Sequence, residues 1–219
     1  MTRAVRAAGL VLAVCCLPGP LKGQDPGPVV DRAQSAYDST RTLTAEFTQV
    51  ITNPLIGSPD TTRGTLHQMR PSSFEMRFAV PRGDRIVADG HYLWLYTPST
   101  TPGQVIRSGI PRTGTGPNLF GQFVDHARER YTIRYIRTDT LAADGLADVI
   151  ALEPRSADLP YRRAVLWVNR LDALVRRLEI TEQSGQERVI TLHAVRVNEA
   201  VPAEDFKFSV PRGVRVVDQ

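Results

Sequence analysis

The residue types that most often perform chemistry are scattered along this chain of 219 residues. None of the four histidines, His67, His91, His126 and His193, stands at metal-ligand spacing from a second ligand. The chain also lacks the Gly-x-Ser-x-Gly turn that presents a nucleophilic serine. The sequence therefore indicates no catalytic residue, no metal site and no cofactor, and we expect a protein that is not an enzyme.

Acidic residues in the middle of predicted strands are the next candidates for a site. Glu75 and Glu179 stand close to Arg77 and Arg177, and Glu46 alternates with apolar residues along its predicted strand. This pattern is typical of a solvated sheet face, on which opposite charges pair across neighbouring strands. We therefore expect all three carboxylates to be exposed to solvent.

Residues 1–23 have the layout of a secretory signal peptide. Arg3 and Arg6 form a basic start, and an apolar run follows before proline and glycine residues that precede Gln24. The apolar run is too short to span a bilayer stably. We therefore expect cleavage near Gln24 and a single mature domain of residues 24–219, exported from the cytoplasm.

Both cysteines, Cys15 and Cys16, lie within this N-terminal segment. Its removal would leave no cysteine, which excludes a disulfide framework and a cysteine metal site in the mature chain. A second interpretation stays open, because Leu12–Cys15 resembles a bacterial lipobox and would leave a lipid on Cys15. Val14 is bulky where a lipobox prefers a small residue, which favours the cleaved protein.

The charge balance of the mature chain limits its partners. The whole sequence has 27 basic and 23 acidic residues, but Arg3, Arg6 and Lys22 belong to the N-terminal segment. The remainder holds 24 basic and 23 acidic residues, a net charge of +1. A surface this close to neutral argues against general nucleic-acid binding.

The stretch from Arg63 to Pro98 predicts an antiparallel meander of short strands. Phe74, Met76 and Phe78 alternate with other residues, and a period of two places them on one sheet face. Asp89-Gly90 between two apolar runs is a strong signal for a hairpin turn. The meander should therefore present one markedly apolar face.

Two segments have the apolar spacing of helices. Asp25–Leu43 carries an apolar stripe and is expected to lie on a sheet. Asn118–Arg130 gathers large apolar residues on one side, among them Leu119, Phe120 and Phe123. The second helix is interpreted either as a cover over a cavity or as an ordinary packed helix.

A run of hairpins follows the second helix. The predicted strands are Tyr131–Thr138, Asp148–Glu153, Arg163–Asn169, Leu174–Gln183, Arg188–Asn198 and Phe206–Val210. Since no helix separates them, a doubly wound parallel sheet is not expected. The predicted fold is mainly β, of the α+β class, with an antiparallel barrel or a curled sheet that nearly closes.

Some strands of this fold are apolar on both faces, notably Leu93–Tyr96 and Val165–Val168. One face can then pack against helices while the other lines a cavity. An apolar cavity under a helical cover suits acyl chains, which need shape and dryness more than polar contacts. The residues predicted to line it are Phe47, Phe74, Met76, Phe78, Leu93 and Leu95.

Four segments resemble the LolA family of periplasmic carriers of outer-membrane lipoproteins. They are LTAEFTQ (Leu43–Gln49), GTLHQMRPSSFEMRF (Gly64–Phe78), IVADGHYLWLYTP (Ile86–Pro98) and AEDFKFSVPRGVRVVDQ (Ala203–Gln219). The resemblance spans essentially the whole mature chain, in the same order, behind a signal peptide.

The resemblance implies an unclosed β-barrel of about eleven strands with a lid of short helices over a hydrophobic cavity. It implies acylated lipoproteins as cargo, released by an inner-membrane ABC transporter and accepted by an outer-membrane receptor. Arg70 occupies the position of an arginine that bonds lid backbone and keeps the cavity closed. Phe74 matches a phenylalanine that lines the cavity, whereas the lid segment from Arg112 to Ala127 matches in pattern only. We expect a monomer without a cofactor.

Two other function classes compete with a lipoprotein carrier. One is a related lipid-binding module on the same fold, either a glycolipid carrier or a stress-sensing regulator. Lipidation at Cys15 would favour that class. The other is an enzyme on a β-barrel, which would require a convergent polar cluster that the sequence does not show.

Overall fold

A computed structural model describes residues 24–110 and 119–219 of the chain. The predicted signal segment, with Cys15, and the part of the predicted lid from Arg112 to Asn118 lie outside the described residues. Twelve strands are found: β1 (Thr42–Thr52), β2 (Asp60–Met69), β3 (Ser73–Val80), β4 (Arg85–Asp89), β5 (Tyr92–Tyr96), β6 (Gln104–Gly109), β7 (Tyr131–Leu141), β8 (Gly145–Pro154), β9 (Tyr161–Asn169), β10 (Val175–Glu182), β11 (Glu187–Val197) and β12 (Arg215–Asp218).

All twelve strands belong to one curved sheet in the order β12-β6-β5-β4-β3-β2-β1-β11-β10-β9-β8-β7. Neighbouring strands are antiparallel throughout, except that β12 runs parallel to β6. The two end strands, β7 and β12, do not pair with each other, so the barrel is unclosed. The predicted fold class is confirmed, with twelve strands in place of about eleven.

The C-terminal segment differs from its prediction as a strand over Phe206–Val210. Its first part, Ala203–Phe206, is a short 3₁₀ helix, and the last strand is β12. The alternating phenylalanines pack instead of pairing: Phe206 is buried, and Phe208 stacks on Trp94 with 5.3 Å between ring centroids. Pro202 lies before this segment and Pro211 just after it, and proline cannot donate a ladder hydrogen bond.

The first predicted helix is confirmed as α1 (Gly27–Ser39), although it ends before Leu43, which belongs to β1. Pro28 lies in its first turn, where the missing N–H leaves no bond unmade. Its buried side lies on the inner face of the sheet, through Val29, Val30, Ala33 and Tyr37. The helix thus fills part of the barrel.

The second predicted helix is not continuous. It consists of α2 (Gly121–Val124) and α3 (Ala127–Arg130), which are separated by His126 in the left-handed conformation with φ 49°. Phe123, Val124 and Ala127 are all buried around this break. On the two sides of the bend, α2 contributes Phe123 and Val124 to the core and α3 contributes Ala127. None of the helices in residues 24–110 and 119–219 is long and apolar enough to cross a bilayer.

The sheet buries side chains on both faces. The main core lies inside the barrel between the inner sheet face and the three helices. A second cluster on the outer face surrounds Trp94 under Phe208, and a third surrounds Trp167. The two indole N–H groups donate to Asp89 and Asp139, at 2.8 and 3.0 Å. Core packing of both tryptophans is therefore confirmed.

Candidate functional site

An apolar cavity of about 430 Å³ opens on the inner face of the barrel. Its walls come from both halves of the sheet and from the segment around α2. The lining residues are Gln49, Phe74, Met76, Ile86, Leu93, Leu119, Gln122, Pro160, Tyr161, Ile180, Glu182, Arg188 and Ile190. The apolar majority of these side chains suits an uncharged, flexible hydrocarbon ligand.

Strand pairing explains why distant residues share this cavity. Met76 on β3 lies opposite Ile86 on β4, and Phe74 lies opposite Ala88, which in turn faces Leu93 on β5. Cross-strand partners point to the same face of a sheet. The alternating apolar residues of β3, β4 and β5 thereby form one continuous wall of the cavity.

The structure divides the six predicted cavity residues. Phe74, Met76 and Leu93 line the apolar cavity. Phe47 and Phe78 are instead in edge-to-face contact, with 5.2 Å between ring centroids, and line a second, more polar cavity of about 820 Å³. Leu95 is partly buried opposite Ile86 but lines neither of these two cavities.

Gly64 explains the separate position of the Phe47–Phe78 pair. A Cβ atom at this position would lie 2.0 Å from the carbonyl oxygen of Arg77 and 2.9 Å from the Phe47 ring. Only glycine leaves room for the ring to approach the backbone so closely. The ring of Phe47 therefore packs down against β2 and β3.

The predicted lid residues also occupy different places. Leu119 lines the apolar cavity, whereas Phe120 and Phe123 are buried in the core. Phe123 packs on the cavity residue Tyr161, with 5.4 Å between ring centroids. Gln122, which the sequence did not single out, also reaches the cavity. The α2 segment thus packs into the core and also lines the cavity.

Arg70 bonds the end of α1. Its Nη1 donates to the carbonyl oxygens of Tyr37 and Asp38, at 2.8 and 3.2 Å. Carbonyls in the last turn of a helix have no partner within the helix, so an arginine is a suitable donor. The helix that this bond holds is α1, and the described contacts of Arg70 do not reach α2 or α3.

Two ion pairs hold α1 from its other side. Arg32 bonds Asp148 on β8 at 3.0 Å, and Arg128 on α3 bonds Asp31 at 2.6 Å. The first of these carboxylates is almost fully buried, and it also accepts from Arg170 and Tyr135. Burial acts to raise the pKa of Asp148, but these hydrogen bonds outweigh it and the pKa lies below its ordinary value of 3.8.

A buried pair of hydroxyls lies beside the cavity. The Tyr131 and Tyr161 hydroxyl oxygens are 2.7 Å apart, and Tyr161 lines the cavity. Burial and this hydrogen bond raise the pKa of Tyr161. The Tyr161 hydroxyl therefore stays neutral near pH 7, which keeps this part of the wall uncharged.

Glu75 is the clearest error of the sequence analysis, because it is fully buried and not solvated. Its carboxylate accepts from Arg77 and from Arg85, and His67 lies 3.5 Å away. Asp205 from the C-terminal segment joins the group, 3.1 Å from His67. The pairing of Glu75 with a basic side chain on a neighbouring strand was predicted correctly. Its burial under the C-terminal segment was not predicted.

This cluster is also where a histidine does meet further metal-ligand types. One ligand atom each of His67, Glu75 and Asp205 lie within 4.8 Å of one another. The Glu75 carboxylate already bonds two guanidinium groups, whose positive charge opposes a bound cation. The arrangement is better suited to fastening the C-terminal segment to β3 and β4 than to holding a metal.

The polar residues of the cavity were missed as well. Gln49, Glu182 and Arg188 lie together near the ends of β1, β10 and β11. A signal was available, since Arg188 has the same parity as Ile190 and Leu192, which are buried inside the barrel.

Known proteins share both the sequence pattern and the fold of this chain. The family model described as outer membrane lipoprotein carrier protein LolA matches residues 38–209. The outer-membrane lipoprotein carrier protein of Dechloromonas aromatica is 27% identical over 190 residues, covering 87% of this chain and 88% of that protein. The protein of the same name from Pseudomonas entomophila is 23% identical, covering 98% of this chain and 100% of its own.

Among solved structures, an uncharacterized conserved protein from Thermus thermophilus has the same fold. Its TM-score is 0.57 at 12% identity, covering 90% of this chain and 100% of that one. The match to the family model extends from the end of α1 to the segment before β12 and includes every strand that lines the apolar cavity. This chain belongs to the LolA family of outer membrane lipoprotein carrier proteins.

Proposed function

We propose that this protein is a periplasmic carrier that binds the acyl chains of lipoproteins and conveys them to the outer membrane. The observation that carries the proposal is the apolar cavity of about 430 Å³ on the inner face of an unclosed barrel. The names of the sequence relatives support the same cargo. The family is one of carriers, which agrees with a function without catalysis.

Hydrophobic transfer supplies the affinity. Each methylene that leaves water contributes about 0.8 kcal/mol, so roughly ten buried methylenes contribute about 8 kcal/mol. The walls at Phe74, Met76, Ile86 and Leu93 provide the apolar surface for this burial. An acyl chain would therefore stay in the cavity until it met a more apolar acceptor.

The proposed path has three steps. An inner-membrane ABC transporter releases the acylated lipoprotein, the carrier shields its chains, and an outer-membrane receptor accepts them. Residues 1–23 would direct the protein to the periplasm as a cleaved signal peptide. Arg70 bonds the end of α1, and we infer that this closure competes with the bound cargo, so the proposed transfer step needs no ATP.

The alternative is a lipidated lipid carrier or a stress-sensing regulator on the same fold. It would keep a lipid on Cys15 and remain at a membrane. The carrier proposal is favoured because the sequence relatives cover most of the chain and are named as lipoprotein carriers.

A charge placed in the cavity wall tests the binding role directly. Phe74 is 4% exposed and lines the cavity, so Phe74→Glu would put a carboxylate among apolar side chains. We expect binding of a fluorescent fatty-acid probe to fall at least tenfold. Val80→Glu is the matched control, since Val80 lies on the same strand and is 54% exposed.

Circular dichroism and thermal unfolding would show that both variants are folded. The control should bind the probe as the wild type does. Undiminished binding by a folded Phe74→Glu variant would mean that acyl chains bind elsewhere, and the proposed function would lose its site.

A further inference from the structure

We propose that Arg188, positioned by Gln49 and Glu182, forms a polar subsite that donates hydrogen bonds to the ester carbonyl oxygens of the cargo's acyl groups. The inference rests on the proposed function and adds a chemical preference to it. The cavity would then recognise the acyl linkage as well as the hydrocarbon.

The position of Arg188 supports this role. It shares the inner face of β11 with the buried Ile190, and its cross-strand partners are Ile51 on β1 and Ile180 on β10. Ile180 and Ile190 line the apolar cavity together with Arg188 itself. A guanidinium therefore stands at one end of a hydrocarbon-shaped space, near the strand ends.

The hydrogen bonds of Arg188 leave it spare donor capacity. Its Nη1 lies 3.5 Å from Oε1 of Gln49, and its Nη2 lies 3.4 Å from Oε1 of Glu182. Both distances are long for N–H···O bonds, which cluster near about 2.9–3.0 Å. Because a guanidinium has five N–H donors, a ligand oxygen can be bound without breaking an existing strong bond.

Neighbouring groups hold the two partners of Arg188. Gln49 is buried, and its Nε2 donates to Thr62 at 3.2 Å, which directs its oxygen towards Arg188. Glu182 also accepts from Gln186 at 3.2 Å. These contacts fix where the guanidinium lies, so Gln49 and Glu182 are positioning residues.

The charges favour a neutral acceptor over an anion. Arg188 and Glu182 are the charged side chains among the described residues that line the cavity, and their charges cancel. A carboxylate or phosphate would be attracted by one and repelled by the other. An ester carbonyl accepts a hydrogen bond without adding charge, and lipoprotein acyl chains are attached to glycerol through such esters.

A pair of probes that differ only in the linkage tests the subsite. One is a fluorescent peptide with an N-terminal dipalmitoylglyceryl cysteine, and the other is its dihexadecyl ether analogue, which lacks the two carbonyls. A hydrogen bond from a charged donor corresponds to about tenfold in affinity. We expect wild-type protein to bind the ester probe about tenfold more tightly than the ether probe.

Arg188→Met should lower affinity for the ester probe about tenfold and leave affinity for the ether probe unchanged. Gln49→Met keeps Arg188 but removes the amide oxygen that positions it. This variant should also show a smaller preference for the ester probe over the ether probe. Arg196→Met is the control on the same strand, because its side chain is 65% exposed. That variant should keep the full preference.

Three results would overturn the inference. Arg188→Met could keep the ester preference. It could also lower the affinity for both probes equally, as expected if Arg188 had a purely structural role. The wild type could also bind both probes equally well, in which case only the subsite is wrong. If the wild type binds neither probe, the proposed function fails and the subsite falls with it.

Discussion

At the scale of single residues, we propose that Arg70 is a latch on the barrel. Its guanidinium reaches the carbonyls of Tyr37 and Asp38, the last turn of the helix that fills the barrel. Each hydrogen bond from a charged donor contributes about 1.5–3 kcal/mol when buried. The side chain is 41% exposed, so solvent reduces the total to about 1–2 kcal/mol.

Replacing this donor should change transfer more than uptake. Arg70→Leu removes both hydrogen bonds and adds apolar surface, so α1 should leave its closed position more often and compete less with the bound cargo. We expect the variant to take up lipoprotein but to pass less than about a tenth of the wild-type amount to the outer-membrane receptor. The measurement is the transfer of a labelled lipoprotein from purified carrier to purified receptor.

Two variants sharpen this transfer experiment. Arg70→Lys should restore little, because an ammonium group lacks the planar fork of the guanidinium. Arg41→Leu is a control, since Arg41 is exposed and its backbone carbonyl accepts from the Arg70 N–H. Transfer by Arg70→Leu at the wild-type rate would show that Arg70 is no latch.

The sequence predicted which face of a strand a side chain occupies, but it did not predict what covers that side chain. A period of two places Phe74, Met76 and Phe78 on one face, as the structure has them. It does not say which of them lines the apolar cavity, because Phe78 packs on Phe47 over Gly64 and lines the second cavity instead. Burial of Glu75 also lay beyond the pattern, since it depends on a segment 128 residues beyond Arg77.

At the scale of elements, the C-terminal segment is joined to the meander by the Glu75 cluster. Glu75→Gln keeps the shape of the side chain but removes the charge shared by Arg77 and Arg85. We expect the free energy of unfolding in urea to fall by about 2 kcal/mol, since both arginines are partly exposed and can recover some hydration. Glu46→Gln on β1 is the exposed control and should change it by less than about 0.5 kcal/mol.

A loss as small as that of the control would contradict this view of the C-terminal segment. The Glu75 cluster would then contribute little to holding the C-terminal segment in place. Limited proteolysis would locate any loosening, because the segment before β12 should be cut first in Glu75→Gln if the carboxylate holds it.

The attachment of α1 to β8 should make stability depend on acid pH. The folded-state pKa of Asp148 lies below its ordinary value, so its ionised form stabilises the fold above that value. This contribution is lost as the pH falls from about 4 through the folded-state pKa. Asp148→Asn should therefore lower the unfolding free energy by about 1–2 kcal/mol at pH 7 and by progressively less as the pH falls below about 4.

Urea unfolding of both proteins at several pH values measures this difference. Asp60→Asn serves as the control, because Asp60 is exposed at the start of β2. A difference between wild type and Asp148→Asn that does not begin to shrink as the pH falls below about 4 would show that the carboxylate charge does not hold α1.

Local sequence patterns predict some helices and strands of this fold but not others. The apolar stripe of α1 and the hairpins from β7 to β11 follow from local periodicity and turn residues. The break at His126 and the parallel strand β12 do not, because both result from packing against distant strands. Phe206 and Phe208 alternate as a strand would, but the outer sheet face offers Phe208 packing instead.

At the scale of the whole molecule, an unclosed barrel suits the proposed carrier. Its inner face accommodates both α1 and the apolar cavity that we propose for the cargo. The predicted mainly β, unclosed architecture is confirmed, and the runs of hairpins read from the sequence explain why the sheet is mostly antiparallel. The size and polar end of the cavity depend on how both halves curve together, which periodicity does not encode.

The central claim is that this chain carries acylated lipoproteins through the periplasm. Native mass spectrometry of the protein purified from its own periplasm tests it most directly. We predict a polypeptide that begins near Gln24, without lipid on Cys15, and a fraction in 1:1 complex with a lipoprotein that retains its acyl chains. A membrane-bound chain with a diacylated Cys15, or a soluble chain that carries no acylated protein under conditions of active lipoprotein export, would contradict the account.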